Sequence, residues 1–368
     1  MKAWLSKFFL TPLVLYAALL GAEWFMSGAE PPRLSEIRRL RNQGQRANPA
    51  FTAQHFLGEH PDLRFLPLGG IAKVQTVLCQ EDGPVVSYTS DRHGFRNPDE
   101  LWDQAEWDVA VLGDSYVQGY CEADGAIFTD RLREVYPRTV NLGSFGNGPL
   151  SNLATLLEYA AIHRPKKVLW VYVPNDLRID LPMERENPTL MEYLLGQTQS
   201  LRGRQKEIDS LLAQESELIL TRARPFSLKA WLRLKTLNEF VAQALLRQKR
   251  GEPADDGFPP DYLSIDSNDY QFFESVLAQA RGAVSSWGGE LILVTVRDST
   301  SFKKTHQKQV EDHGQRLREM ADHVGLRSIE FRPEDQNPFN EFNVVSSYYG
   351  HVNKQGHADL ARQILRYL

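Results

Sequence analysis

A serine held in a glycine-containing turn at the end of an apolar strand is placed to act as a nucleophile. Here Trp107-Asp108-Val109-Ala110-Val111-Leu112 runs into Gly113-Asp114-Ser115. In doubly wound α/β proteins the carboxyl edge of the strands is where ligands bind, and a backbone N–H beside such a turn can face a developing oxyanion. The tripeptide alone is a weak signal, because Asp and Ser also bond local backbone at ordinary turns. Three further segments follow in order: Asn141-Leu142-Gly143-Ser144-Phe145-Gly146, then Val173-Pro174-Asn175-Asp176 closing the apolar run 167–172, and His351-Val352-Asn353-Lys354-Gln355-Gly356-His357 near the C-terminus.

Taken together, these motifs resemble those of the SGNH (GDSL) hydrolase superfamily, over roughly residues 106–368 and with a long insertion. The resemblance implies a three-layer α/β/α, flavodoxin-like fold with a parallel sheet. It also implies ester chemistry through a covalent acyl-serine intermediate, with Ser115 as nucleophile, Gly146 and Asn175 as oxyanion-hole donors and His351 as general base. Those residue types suit the chemistry. A serine hydroxyl is a poor nucleophile at neutral pH, so an imidazole must take its proton during attack and return it to the leaving alcohol. Gly146 lacks the Cβ that would keep substrate from its backbone. Each position also has a plainer reading: a turn glycine, an Asx-turn asparagine, a histidine at the start of the last helix. His357 reads as a packing residue of that helix.

One departure stands out. The superfamily carries an Asp three residues before the histidine, and this chain has Tyr348 there. In a serine-protease triad, losing the orienting carboxylate lowers turnover by about 10⁴. Three arrangements remain open: a Ser-His dyad with a backbone partner behind the imidazole, a carboxylate from Asp298, Glu334, Asp335 or Glu341, or a site that is not fully catalytic.

The elements that must position these residues alternate in type. The pattern predicts strand 107–112, helix 125–135, strand 138–142, helix 149–163 starting at Pro149, and strand 167–173. After an insertion at about 180–266 come helix 268–284, strand 290–296, helix 305–323, strand 326–331 and helix 354–367. Such alternation means right-handed βαβ units and a parallel sheet covered on both faces. Arg297 and Asp298 end a strand at the same edge as Ser115.

Ahead of this unit, residues 1–29 combine a basic start with the mostly apolar stretch 8–22 and read as a signal peptide or a membrane anchor. Residues 30–105 form a linker and lead-in. Within it, Asp91-Arg92-His93-Gly94-Phe95-Arg96-Asn97 resembles a segment found upstream in exported bacterial members of the superfamily, and reads as a structural turn or as a source of substrate contacts from His93 or Arg96. Cys79 and Cys121 are the only cysteines and read either as a disulfide or as two buried thiols.

Composition bounds the partners. With 368 residues, 42% of them hydrophobic, and a net charge of −5, the chain can bury a full core and has no general affinity for nucleic acid. No phosphate-binding loop or metal-ligand cluster occurs, so neither cofactor nor metal is expected; oligomeric state is not legible. Residues 222–250 hold eight basic side chains against Glu239 alone, interleaved with apolar ones. They read as an amphipathic basic helix that packs on the domain, rests on anionic lipid or covers the site. Three functions fit. One is an exported esterase removing acyl groups, O-acetyl above all, from a cell-envelope or secreted polysaccharide. Another is an O-acetyltransferase using the same serine, and the third a non-catalytic polysaccharide-binding or assembly protein.

Overall fold

The computed structural model describes residues 15–22, 31–58, 63–80, 83–222, 233–234, 238, 265–296, 307–331 and 351–368. Helix α1 (Pro32–Asn42) precedes a small sheet in which β1 (Ala47–Pro49) pairs parallel to β2 (Gln75–Cys79) and β2 antiparallel to β3 (Val86–Thr89). The main sheet contains β4 (Val109–Leu112), β5 (Thr139–Asn141), β6 (Lys167–Tyr172), β7 (Glu290–Val296) and β8 (Arg327–Phe331), in the order β5-β4-β6-β7-β8 and parallel throughout. That is the flavodoxin-like order. The three-layer α/β/α fold expected from the motifs is the fold of this chain.

These strands are near-continuous apolar runs because both faces are covered. Ala110, Leu112, Trp170 and Leu293 point to one side, into the core shared with α4 (Pro149–Thr155) and α7 (Ser267–Ser286); Val109, Val111, Val171 and Val294 point to the other, toward α3 (Phe128–Val135) and α9 (Lys354–Leu365). The alternation follows from the two-residue period of a strand. Helix α7 buries Tyr270, Phe273, Leu277, Ala280 and Val284 at three- and four-residue spacing, with the Asp266 side chain accepting from the Asn268 N–H at its start. Helix α8 (Gln307–Val324) lies against α7 and β8. The predicted single helix 149–163 differs in detail: after α4 the backbone widens to a π turn over Leu156–Ala160 and tightens over Ala161–His163. The wide turn carries Glu158, whose carboxylate accepts from the Tyr193 hydroxyl and the Gln199 and Leu201 N–H groups.

The lead-in and the first part of the insertion fold on each other, which sequence separation conceals. Residues 30–50 read as a linker or short helix, but Leu34, Ile37 and Leu40 of α1 are buried against β1, β2 and Leu220 of α6 (Gln205–Arg222). Burying each such side chain contributes about 1.5–3 kcal/mol, enough to hold a helix too short to persist alone. Arg38 donates to the Leu220 carbonyl at 2.6 Å and Arg41 to Ser216 at 3.0 Å, while Asp209 accepts from the Ala72 N–H at 2.9 Å. Most of the basic stretch 222–250 lies outside the described residues, as does most of 1–29; residues 15–22 are helical. Among the described residues no helix is long and apolar enough to cross a membrane.

Candidate active site

Strand β4 ends at Gly113, where the chain must turn tightly: a Cβ there would lie 2.5 Å from the Val117 side chain and 3.0 Å from the Val171 carbonyl oxygen. The next residues form the four-residue helix α2 (Ser115–Gln118), opened by Asp114, whose Oδ1 accepts from the Tyr116 N–H at 2.9 Å. Ser115 thus stands at the carboxyl edge of the sheet with 6% of its surface exposed. Asn175 follows β6 at the same edge, and the loop after β5 brings Gly146 there. His351 arrives just before α9. Its Nε2 lies 3.0 Å from Ser115 Oγ, across 236 residues of sequence.

Aromatic rings border His351, with Tyr116 5.6 Å from it. Tyr120 lies 4.5 Å from the His351 ring, and Phe145, 38% exposed, lies 5.6 Å from Tyr120. Neither Tyr120 nor Phe145 belongs to a motif of the sequence on its own; the aromatic next to Gly146 is the signal available. Together they form an aromatic shelf beside the His351 ring.

The Ser115 turn is buttressed by the segment 91–97. Arg96, buried, donates to the carbonyls of Gln118, Gly119 and Glu122 and to Asp124. Asn97 joins the same strand edge by donating to the Asn141 carbonyl and accepting from the Asn141 N–H, both at 2.8 Å. Asp91 organises the turn by accepting from the His93 and Phe95 N–H groups and from Asn97; burial raises its pKa to about 6. His93 packs edge-on to Trp102 and contacts Gln205 through Nδ1, and burial lowers its pKa to about 4. Of the two readings of this segment, the geometry favours the structural one: His93 and Arg96 are engaged by protein groups. Cys79 and Cys121 are bonded, tying β2 to the turn that carries Tyr120. His357 is buried, accepts from the Phe128 N–H at 3.3 Å and stacks on the Phe128 ring.

The other side of the site is acidic and buried. Asp114 Oδ2 faces Ser115 Oγ at 3.3 Å and accepts from Asn175 Nδ2 at 3.2 Å, so hydroxyl and amide meet at one oxygen atom. The same Nδ2 donates to Asp180 Oδ2 at 2.8 Å, and Gln54 from the lead-in donates to Asp180 Oδ1 at 3.3 Å. Gln54 also lies over Gly146, where a Cβ would stand 2.3 Å from its Oε1. Glu184 of α5 (Leu181–Arg185) accepts from the Gly148, Leu150 and Ser151 N–H groups at the start of α4. Burial dominates all four carboxyls. It raises Asp114, and with neighbouring carboxylates raises Asp176 and Asp180 well above the ordinary range; Glu184 is pushed to about 7 despite its three N–H donors.

The arrangement has the parts for acyl transfer: a hydroxyl hydrogen-bonded to an imidazole, and N–H donors converging on one edge. The Ser115 and Gly146 N–H groups donate to no protein acceptor among the described residues, which leaves them for a ligand oxygen. Tyr348, Asp298, Glu334, Asp335 and Glu341 lie outside the described residues, as does Arg297. Among the described residues no cluster of metal-ligating side chains occurs.

Comparison with known proteins gives structural matches only. No family model matches the chain, and no curated protein does. Solved structures do match. One is a member of the lipolytic G-D-S-L family from Veillonella parvula, at 11% identity over 70% of this chain and 96% of that one, with a TM-score of 0.35. A two-domain esterase active on acetylated mannans matches at 11% identity over 73% of this chain and 50% of its own, with a TM-score of 0.37. An acetylxylan esterase from Geobacillus stearothermophilus matches at 13% identity over 71% and 93%, with a TM-score of 0.36. Likeness of this size decides nothing about activity, which rests on the site itself.

Proposed function

We propose that this protein is a serine esterase of SGNH type that removes acyl groups, O-acetyl above all, from a cell-envelope or secreted polysaccharide. The observation that carries the reading is the 3.0 Å contact between Ser115 Oγ and His351 Nε2 at the carboxyl edge of the parallel sheet. In the forward step His351 Nε2 takes the hydroxyl proton as Ser115 Oγ bonds to the ester carbonyl carbon. The Ser115 N–H, the Gly146 N–H and the Asn175 amide donate to the resulting oxyanion. Collapse expels the sugar alkoxide, which receives the proton from the imidazolium and leaves as the alcohol. Water then attacks the acyl-serine with His351 again as base, releasing the acid. Burial raises the Asp114 carboxyl, and its attraction to His351 opposes that rise.

Carbohydrate as the leaving group is supported by the exposed Phe145 beside Tyr120, since an aromatic face accepts the apolar face of a sugar ring. Export is supported by the basic and apolar composition of residues 1–29 and by the Cys79–Cys121 disulfide, which belongs to oxidising compartments. The test is hydrolysis of an aryl acetate and of an acetylated oligosaccharide by purified protein. Ser115→Ala is expected to abolish both while the protein stays folded. Wild-type turnover by Ser115→Ala, or labelling of another residue by a serine-directed covalent inhibitor, refutes the assignment. Adding an unacetylated sugar acceptor separates hydrolysis from transfer: acetate release means an esterase, acetylated acceptor a transferase, and neither a binding protein. Reporter fusions after residue 30 test export, which an exclusively cytoplasmic reporter signal contradicts.

A further inference from the structure

An amide nitrogen has two hydrogens, and both hydrogens of Asn175 Nδ2 face carboxylates: Asp180 Oδ2 at 2.8 Å and Asp114 Oδ2 at 3.2 Å. The shorter bond fixes the amide on the side away from the nucleophile. The longer one ends on the oxygen that also faces Ser115 Oγ, so its hydrogen is the one beside the reacting hydroxyl. Asp180 is itself held by Gln54, which packs over Gly146, the other loop donor to the oxyanion position. One side chain from the lead-in therefore touches Gly146 and the carboxyl that holds Asn175. We propose that Asp180 and Gln54 are positioning residues that clamp Asn175 and Gly146, and that Asn175 serves the oxyanion by swinging its second hydrogen from Asp114 to the substrate oxygen while Asp180 keeps the first.

This rests on the esterase reading. It assigns each group around the amide a part. Asp180 anchors, Asp114 is the acceptor that lets go, and Glu184 is committed to the backbone of α4. Burial, then Glu184 and Asp114, raise the proton affinity of Asp180, while the bond from Asn175 and the charge of Arg178 lower it, so the anchor stands among carboxyls that repel a further negative charge. An acceptor oxygen, rather than a charge, is what the clamp requires of Asp180.

Kinetics on the full chain with an aryl acetate test the clamp. Asp180→Ala is expected to lower kcat by about 10²–10³ with KM changed less than about threefold, as for loss of an oxyanion donor. Asp180→Asn, which still offers an oxygen to the Asn175 amide, is expected to stay within about tenfold of wild type. Because Asp180 acts through Asn175, the double variant Asn175→Ala/Asp180→Ala is expected to be no slower than Asn175→Ala alone. Should Asp180→Ala fail to fold, Gln54→Ala replaces it, with a loss of about tenfold that vanishes in the Asn175→Ala background. Additive effects, a rise in KM at unchanged kcat, or an Asn175→Ala variant of wild-type rate overturns the proposal. These outcomes differ from a failure of the esterase reading, which is a Ser115→Ala variant that still turns over.

Discussion

The two sides of the site are held by opposite chemistry. On the nucleophile side a buried cation, Arg96, gathers backbone carbonyl oxygens from the end of α2 and the following turn. On the oxyanion side buried carboxyls gather N–H groups, with Glu184 on the start of α4 and Asp114 and Asp180 on the Asn175 amide. Guanidinium groups keep their charge across the pH range in which proteins fold. Carboxyls pushed upward by burial do not. The Arg96 contacts to the turn after α2 are therefore expected to be insensitive to pH, and the geometry of the oxyanion donors to depend on it.

The largest effect that sharpens this contrast is on stability. Arg96→Leu leaves three carbonyls without their donor and is expected to cost about 3–5 kcal/mol, measured by denaturant unfolding, with nearly the same cost at pH 6 and pH 8. A loss under about 1 kcal/mol would mean that the nucleophile side holds itself. On the other side the expected signature is kinetic: Asn175→Ala lowers kcat by about 10²–10³ while unfolding shifts by about 1 kcal/mol or less. Comparable loss of stability in both variants would erase the distinction.

The pH dependence supplies a smaller effect with a definite sign. Glu184 has a folded pKa of about 7, raised from 4.5, so the proton is bound more tightly in the folded state. Its stabilising contribution is complete below the unfolded value and is lost as pH rises through about 7. Wild type should therefore lose up to a few kcal/mol relative to Glu184→Gln between those limits. A difference that grows in the other direction would mean that the three N–H donors outweigh burial. The smallest effect is expected at the shelf: Phe145→Ala should raise KM for an acetylated oligosaccharide by about tenfold or less and leave that for an aryl acetate little changed.

What the sequence determined is what depends on neighbours along the chain. Apolar runs such as Val168–Tyr172, a proline opening α4, and a glycine before Ser115 are local features, and they placed the strands, the helices and the edge at which the four motifs gather. The order β5-β4-β6-β7-β8 is the flavodoxin-like one that the motif resemblance implies; alternation by itself does not choose it. What only the tertiary structure decided is which buried polar groups meet. Gln54 and Asp180 lie 126 residues apart, and Arg38 and the Leu220 carbonyl 182. No periodicity marks such pairs, because a buried donor needs an acceptor nearby in space and is indifferent to its place in sequence. The same holds for Cys79 and Cys121, whose pairing was one of two readings until β2 was seen against the turn after α2. Ser115 could be singled out only from its turn together with the three later motifs; the carboxyls around Asn175 could not be singled out at all, since burial and a few ångströms of approach decide their charge.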